Sequence, residues 1–270
     1  MKNLLGILCV LIVTSCQSQL IDTSGTTVET RFKVPEGFVR VEAKANSYAK
    51  YLRSLPLKKH GSLVKHYDGT TKRNNNVYAA VVDLKIGKRD LHQCADAVMR
   101  LRAEHLWKQK KYSQIHFNFM NGFNADYNSW RAGKRIVVKG NKSHWVQSAK
   151  PSNNYATFWK YLEMVFAYAG SYSLSKELKT VKVAQMKIGD VFILGGTPGH
   201  TEIVVDMAVN YKTGEKIFLL AQSYMPAQET QILLNPKFGN RGCWYSANFG
   251  FTLETPEFTF YSDQLMRFDD

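Results

Sequence analysis

Two residues set the chemical question: Cys94, within LHQCADAVMRLRAEHLW (91–107), and His200, just before TEIVVDMA (201–208). The first stretch has the spacing of a helix and the second that of a strand. A cysteine at a helix start followed by a histidine at a strand start is the order of a cysteine hydrolase. A thiol near a helix N-terminus sits among unpaired N–H groups at the positive end of the dipole, which favours the nucleophilic thiolate. A neutral imidazole within reach takes the thiol proton and later returns it to a leaving group. The competing reading is packing, because free cysteines are among the most buried residues and act as small apolar fillers. Helical spacing places Cys94 on the inner face, which suits both.

A third group must hold the imidazole. Asp206 is six residues along the strand from His200, roughly 20 Å away and far beyond a hydrogen bond. If the following hairpin turns near Lys212, position 202 faces position 222 and Gln222 lies diagonal to His200 on the same face. A register slipped by one residue presents Ser223 instead. Alternation gives His200, Glu202, Val204 and Asp206 one face and Ile203, Val205 and Met207 the other. Glu202 is then either a substrate contact or a surface carboxylate. Gln93 could join the Cys94 backbone N–H as an oxyanion donor. Tyr78 is a weaker donor and reads more simply as a strand aromatic. His92 either tunes the thiol or is an exposed first-turn residue. The segment 223–226 either lines the cleft or ends a strand.

The elements that must position these groups are readable in outline. With 270 residues and 44% hydrophobic content the chain can bury a substantial core. Extended chain begins near Phe32, followed by a short helix from Ser47 to Ser54 that stops before Pro56. Residues 63–67 and 78–84 read as strands around a turn at Asp68-Gly69. In the cysteine helix, Asp90 is the expected N-cap, and Asp96 and Arg100 can pair on the outer face. Residues 115–120 alternate as a half-buried strand, and 121–153 read as an irregular insert with one hairpin, a candidate substrate-facing region. A helix from Tyr155 to Tyr168 carries a wide apolar stripe and ends at Gly170. Strands VFILGG, TEIVVDMA and IFLLAQSY then form an antiparallel meander.

The N-terminus has a different character. Lys2, an apolar run from Leu4 to Val13 and then VTSC resemble a bacterial lipoprotein signal, with residues 1–16 as the signal and Cys16 as the lipidated residue. The run is too short for a transmembrane helix. The alternative is an ordinary secretory signal cleaved nearby. Residues 17–31 are expected to be a flexible tether and 32–270 a single domain. In an exported chain disulfides can form; Cys9 is lost with the signal, so Cys94 and Cys243 are either bridged or free. No cysteine neighbours Cys94, and the seven histidines lack metal-ligand spacing, so neither a metal nor another cofactor is expected. The formal charge of +14 gives a basic surface, with lysines at 108–111 and 134–150, suited to anionic headgroups or acidic wall polymer or simply to solvation. The basic residues are not interleaved with aromatics in a nucleic-acid-binding pattern, so no nucleic-acid partner is expected.

QCADAVMRLRAEHL, GDVFI and GHTEIVV resemble the core of the papain-like superfamily that includes NlpC-type and CHAP-type cell-wall amidases and peptidases. The resemblance implies an α+β fold in which a cysteine-bearing helix packs on an antiparallel sheet. It also implies Cys94 as nucleophile, His200 as base and Gln222 as the group that orients the ring. Over nearly the whole mature chain, SLPLK, DLHQCADAVMRLRAEHL, GDVFILGGTPGHTEIVVDMA, FLLAQSYMPAQ and TPEF resemble a family of bacterial envelope lipoproteins classed as a domain of unknown function. That likeness implies location and no activity. The expectation is a lipid-anchored envelope hydrolase cleaving an amide or peptide bond, with peptidoglycan stem peptides as possible substrates. Its rivals are a scaffold without chemistry that binds wall polymer, lipid or an envelope partner, and a structural lipoprotein with a Cys94–Cys243 bridge.

Overall fold

A computed structural model describes residues 20–237 and 242–269; Cys16 and the signal lie outside them. The helices are α1 (Val28–Arg31), α2 (Tyr48–Arg53), α3 (Cys94–Lys108), α4 (Tyr127–Arg131), α5 (Tyr155–Tyr168) and α6 (Ser171–Glu177). The strands are β1 (Val39–Arg40), β2 (Tyr78–Val81), β3 (His116–Asn118), β4 (Asn124–Asp126), β5 (Lys134–Lys139), β6 (Lys142–Gln147), β7 (Lys179–Thr180) and β8 (Val191–Leu194). They continue with β9 (His200–Val209), β10 (Lys216–Gln222), β11 (Gln231–Leu233), β12 (Tyr245–Ser246), β13 (Thr252–Glu254), β14 (Thr259–Tyr261) and β15 (Leu265–Arg267).

The organising element is a sheet in the order β2-β11-β10-β9-β8-β15-β7, with β1 added to β9 and β12 to β10; its pairings are antiparallel. β9 is buried along almost its whole length because both sheet faces are covered, so apolar residues point to both sides and its polar residues, His200, Thr201, Glu202 and Asp206, are buried with them. One face packs Ile203, Val205, Leu219 and Ala221 against Leu52 of α2, Val98 and Leu101 of α3, and the aromatic wall of α5. The other packs Phe192, Val204, Phe218 and Leu220 against Leu253 and Phe260 of the β13–β14 hairpin. The fold is thus mixed α+β around a mostly antiparallel sheet. Among the described residues no helix is long and apolar enough to cross a membrane.

Several sequence expectations need correction. Residues 20–31 are packed structure where a flexible tether was expected. Val28 is fully buried, Ile21 bridges to Phe32, and Arg31 Nε donates to the Gly25 carbonyl at 2.8 Å. A side chain at Gly25 would meet the backbone of Thr30 and Arg31 at 2.5 Å, so glycine permits that close turn. Residues 63–67 contribute only isolated bridges, Lys65 to Thr71 and His66 to Gln228. The insert at 121–153 is regular: it ends the β3–β4 hairpin, forms α4, and continues as the β5–β6 hairpin. Gly170 precedes a further helix, α6. Helix α3 has no outer face near its start. Asp96 and Arg100 are both buried, Asp96 accepts from the backbone N–H of Gln93 and His92, and Arg100 turns to Glu104. Asp90 is not the N-cap; Gln93 holds that position, and Asp90 accepts from the Ala227 N–H at 2.7 Å.

The face assignment of β9 changes midway. Asp206 pairs with Leu219 but Val204 pairs with Leu220, so one residue of β9 is extra at this point. Such a bulge resets the alternation. Met207 therefore joins Val204 in the second core. Asp206 binds Arg53 of α2 and Arg40 of β1, each Nε at 2.7 Å.

Candidate functional site

Cys94 is the first residue of α3 and His200 the first of β9, where it pairs with Leu194 of β8. Gln222 closes β10. The β9 bulge shifts the hairpin register so that Ala221 faces Ile203, and continuing that register sets Gln222 opposite Glu202. Sequence reasoning anticipated this placement.

The three predicted groups meet. The Cys94 side chain lies beside the His200 ring, near enough to raise its pKa. His200 Nε2 lies 2.6 Å from Gln222 Oε1, a geometry in which the ring nitrogen donates and the amide oxygen accepts. With Nε2 held there, Nδ1 is the nitrogen available to the thiol. Gln222 is fixed in turn: its Nε2 donates to Glu257 Oε2 at 2.6 Å, and that oxygen also receives Lys72 Nζ at 2.5 Å. The ring is enclosed by Tyr224 and Phe258, each with a centroid distance of 4.9 Å, and by Phe260.

Glu202 is neither a substrate contact nor a surface group. It is fully buried, its Oε1 lies 3.7 Å from His200 Nε2, and Thr255 Oγ1 donates to it at 2.7 Å. Its Oε2 has no partner. Burial alone would pull the His200 pKa down. The nearby Cys94 and Glu202 outweigh that and raise it to about 10. Burial pushes the Glu202 carboxyl up, against the opposing pull of His200 and Thr255. The direction that follows from the geometry is an imidazolium retained through neutral pH between two groups able to carry negative charge.

The start of α3 is held by the same strand end. Ser223, the alternative in a slipped register, does not face the imidazole; its hydroxyl lies 2.9 Å from the His92 carbonyl and 2.6 Å from that of Gln228. His92 has φ +91°, a costly conformation for a residue with a side chain. It is buried rather than exposed. Its Nδ1 lies 3.2 Å from the Gln228 carbonyl and its Nε2 3.3 Å from Arg100 Nη1. Arginine only donates, so Nε2 accepts and Nδ1 carries the proton. Burial and the Arg100 charge pull the His92 pKa down to about 3, keeping it neutral.

Gln93 does not aim its amide at the thiol; Nε2 donates to Asp90 Oδ1 at 3.2 Å. Asp96 caps the N–H groups of His92 and Gln93, and the N–H groups of Cys94 and Ala95, at the first helical positions, have no intrahelical acceptor. The Cys94 N–H is the stronger oxyanion donor. The Tyr78 hydroxyl is committed to the Val64 N–H at 3.0 Å. Cys243 is buried and unbridged, as is Cys94, so no disulfide joins them; burial pushes the Cys243 thiol up to about 12.

A pocket of about 470 Å³ adjoins the site, lined by Lys72, Tyr224, Met225, Pro226 and Glu257 among others. The 223–226 segment thus borders a cleft, whereas the 121–153 insert lines no part of this pocket. Sequence reasoning missed Lys72, Glu257 and Thr255. They lie in loops far from Cys94 and His200 in the chain, and no local pattern marks them. Among the described residues no group of three His, Cys, Asp or Glu side chains is arranged to hold a metal ion.

A family model described as domain of unknown function 4846 matches residues 28–267. No curated protein and no solved structure gives a match.

Proposed function

From a chain that belongs to the domain of unknown function 4846 family, we propose a papain-like cysteine hydrolase of the bacterial envelope, lipid-anchored at Cys16 and cleaving an amide or peptide bond. The observation that carries this reading is a His200 ring that Gln222 holds at 2.6 Å, with Cys94 near enough to raise the ring's pKa. Cys94 Sγ attacks the carbonyl carbon, and the developing oxyanion takes the Cys94 N–H. As the tetrahedral adduct collapses, the C–N bond breaks and the imidazolium gives its proton to the leaving amine. The neutral imidazole then takes a proton from water, whose oxygen attacks the thioester. Collapse of that adduct releases the acid and returns Cys94. Peptides from the peptidoglycan stem are the first substrates to screen, given the envelope location proposed from the N-terminal sequence.

The test is iodoacetamide labelling at neutral pH, followed by tryptic mapping of the Cys94 peptide, with amine release from wall peptides measured alongside. The wild type labels at Cys94 before denaturation and releases amines; His200→Ala suppresses both, and Cys94→Ala abolishes release. Labelling of Cys94 that is indifferent to His200 would sink the pairing. A second reading, a papain-like scaffold that binds wall polymer, lipid or an envelope partner without turnover, draws on the enclosure of the ring by Tyr224, Phe258 and Phe260 and the 9% exposure of Cys94. Labelling of Cys94 only after denaturation would favour it.

A further inference from the structure

Helix α3 runs for 15 residues, or about 22 Å, and Cys94 occupies only its first turn. Near the other end a separate cavity of about 860 Å³ opens between α2, the last turns of α3 and the segment before β8. Its size falls within the range of small-molecule sites. Buried Leu106, Met186 and Met207 supply apolar wall. The charge around it is one-sided: six lysine and arginine side chains line it against two carboxylates, Glu42 and Asp190. Asp190 is already engaged by Arg267 at 2.6 and 2.8 Å. Exposed Lys44, Lys111 and Lys187 stand at its edge.

Two further features suit a ligand. Arg102 lies over the rings of Tyr48 and Phe268, at 5.4 and 5.5 Å, so a rigid cationic stack forms part of the wall. Tyr48, which also lines the cavity, has a buried hydroxyl with no hydrogen-bond partner. Burial keeps that hydroxyl protonated and able to donate. A buried polar group without a partner is exceptional and calls for an acceptor.

We propose that this cavity binds an anionic amphiphile, a phosphate or carboxylate head on an apolar stem, with the lysine edge and the Arg102 stack holding the head and the Leu106, Met186 and Met207 wall taking the stem. The site is separate from the Cys94 pair and does not depend on its activity.

Titration calorimetry of the purified protein tests it, with octyl phosphate as probe and inorganic phosphate and octyl glucoside as comparisons. Octyl phosphate binds, and binding weakens with added salt, as surface charge requires. Lys44→Glu/Lys111→Glu/Lys187→Glu loses about tenfold or more in affinity, since three attractions become repulsions. The melting temperature and Cys94 labelling of this variant stay unchanged. Tyr48→Phe weakens binding without the salt effect of the triple variant. Vesicles of phosphatidylglycerol, with phosphatidylcholine as control, identify the source. Retention on phosphatidylglycerol by the wild type above the triple variant identifies a lipid headgroup; octyl phosphate binding with no such difference identifies a soluble ligand. No octyl phosphate binding at millimolar concentration, equal affinity in the triple variant, or equal affinity for inorganic phosphate would each overturn the proposal.

Discussion

Replacing Glu202 by Gln keeps the shape of the side chain and removes its charge 3.7 Å from His200 Nε2. Both partners are buried, so solvent gives little screening. At an effective dielectric of 20 the pair is worth about 4 kcal/mol, and an opposite charge this close moves a pKa by about one to three pH units. The His200 midpoint, about 10 in the native protein, should therefore fall by about that much in Glu202→Gln. Cys94→Ala should lower it too, because Cys94 is the largest influence holding it up. The assay is a pH titration of the imidazole nitrogens by NMR in histidine-labelled protein, with His200→Gln identifying the signal. Melting temperature is a poorer readout. A histidine raised above its unfolded value of 6.5 contributes stability that is complete below that pH and fades as pH rises through about 10. Glu202→Gln removes part of this, but it also relieves a buried carboxyl whose own pKa is pushed up, and the two effects oppose each other at neutral pH. A wild-type midpoint near 6.5, or one indifferent to Glu202→Gln, would refute the reasoning.

Three further outcomes are expected. Asp206→Asn leaves the Arg53 guanidinium, 5% exposed, and that of Arg40 without their shared carboxylate, which should cost about 3–5 kcal/mol; a urea-unfolding loss below about 1 kcal/mol would show the arginines find other partners. Cys243, buried and pushed up to about 12, should resist iodoacetamide at neutral pH until denaturant is added. Mass analysis of the unreduced protein should find Cys94 and Cys243 unlinked, since both are free thiols in the structure, and a bond between them would contradict it.

Legibility in the sequence followed the range of the forces involved. Helix α5 and strands β8, β9 and β10 have apolar patterns long enough to declare their type, and they form where read, although the alternation of β9 breaks at its bulge. Residues 20–31 and 121–153 were misread because their order comes from distant partners, such as the Val28 N–H on the Leu55 carbonyl at 3.2 Å and Trp130 Nε1 on the Thr157 carbonyl at 3.0 Å. Polar composition resembles a tether when the groups that satisfy it lie elsewhere in the chain. Asp96 and Arg100 show the same effect on a helix. Their spacing permits a surface pair, but tertiary packing covers that face and assigns each a different partner.

The site itself turns on a single extra residue in β9. Near the hairpin turn, Lys216 faces Val209; beyond the bulge, Leu220 faces Val204. Had the turn-side register continued, position 202 would face Ser223 in place of Gln222, and Ser223 would lose its bonds to the His92 and Gln228 carbonyls. The bulge thus has three coupled results. It brings Gln222 to His200, it frees Ser223 to tie down the strained turn ahead of Cys94, and it sends Asp206 to the arginines of α2 and β1. One strand positions the candidate base at its first residue and anchors the surrounding fold at its seventh. The distance argument that removed Asp206 from the imidazole needed only strand geometry. The use the fold makes of Asp206 depends on the bulge, which the alternating pattern did not reveal.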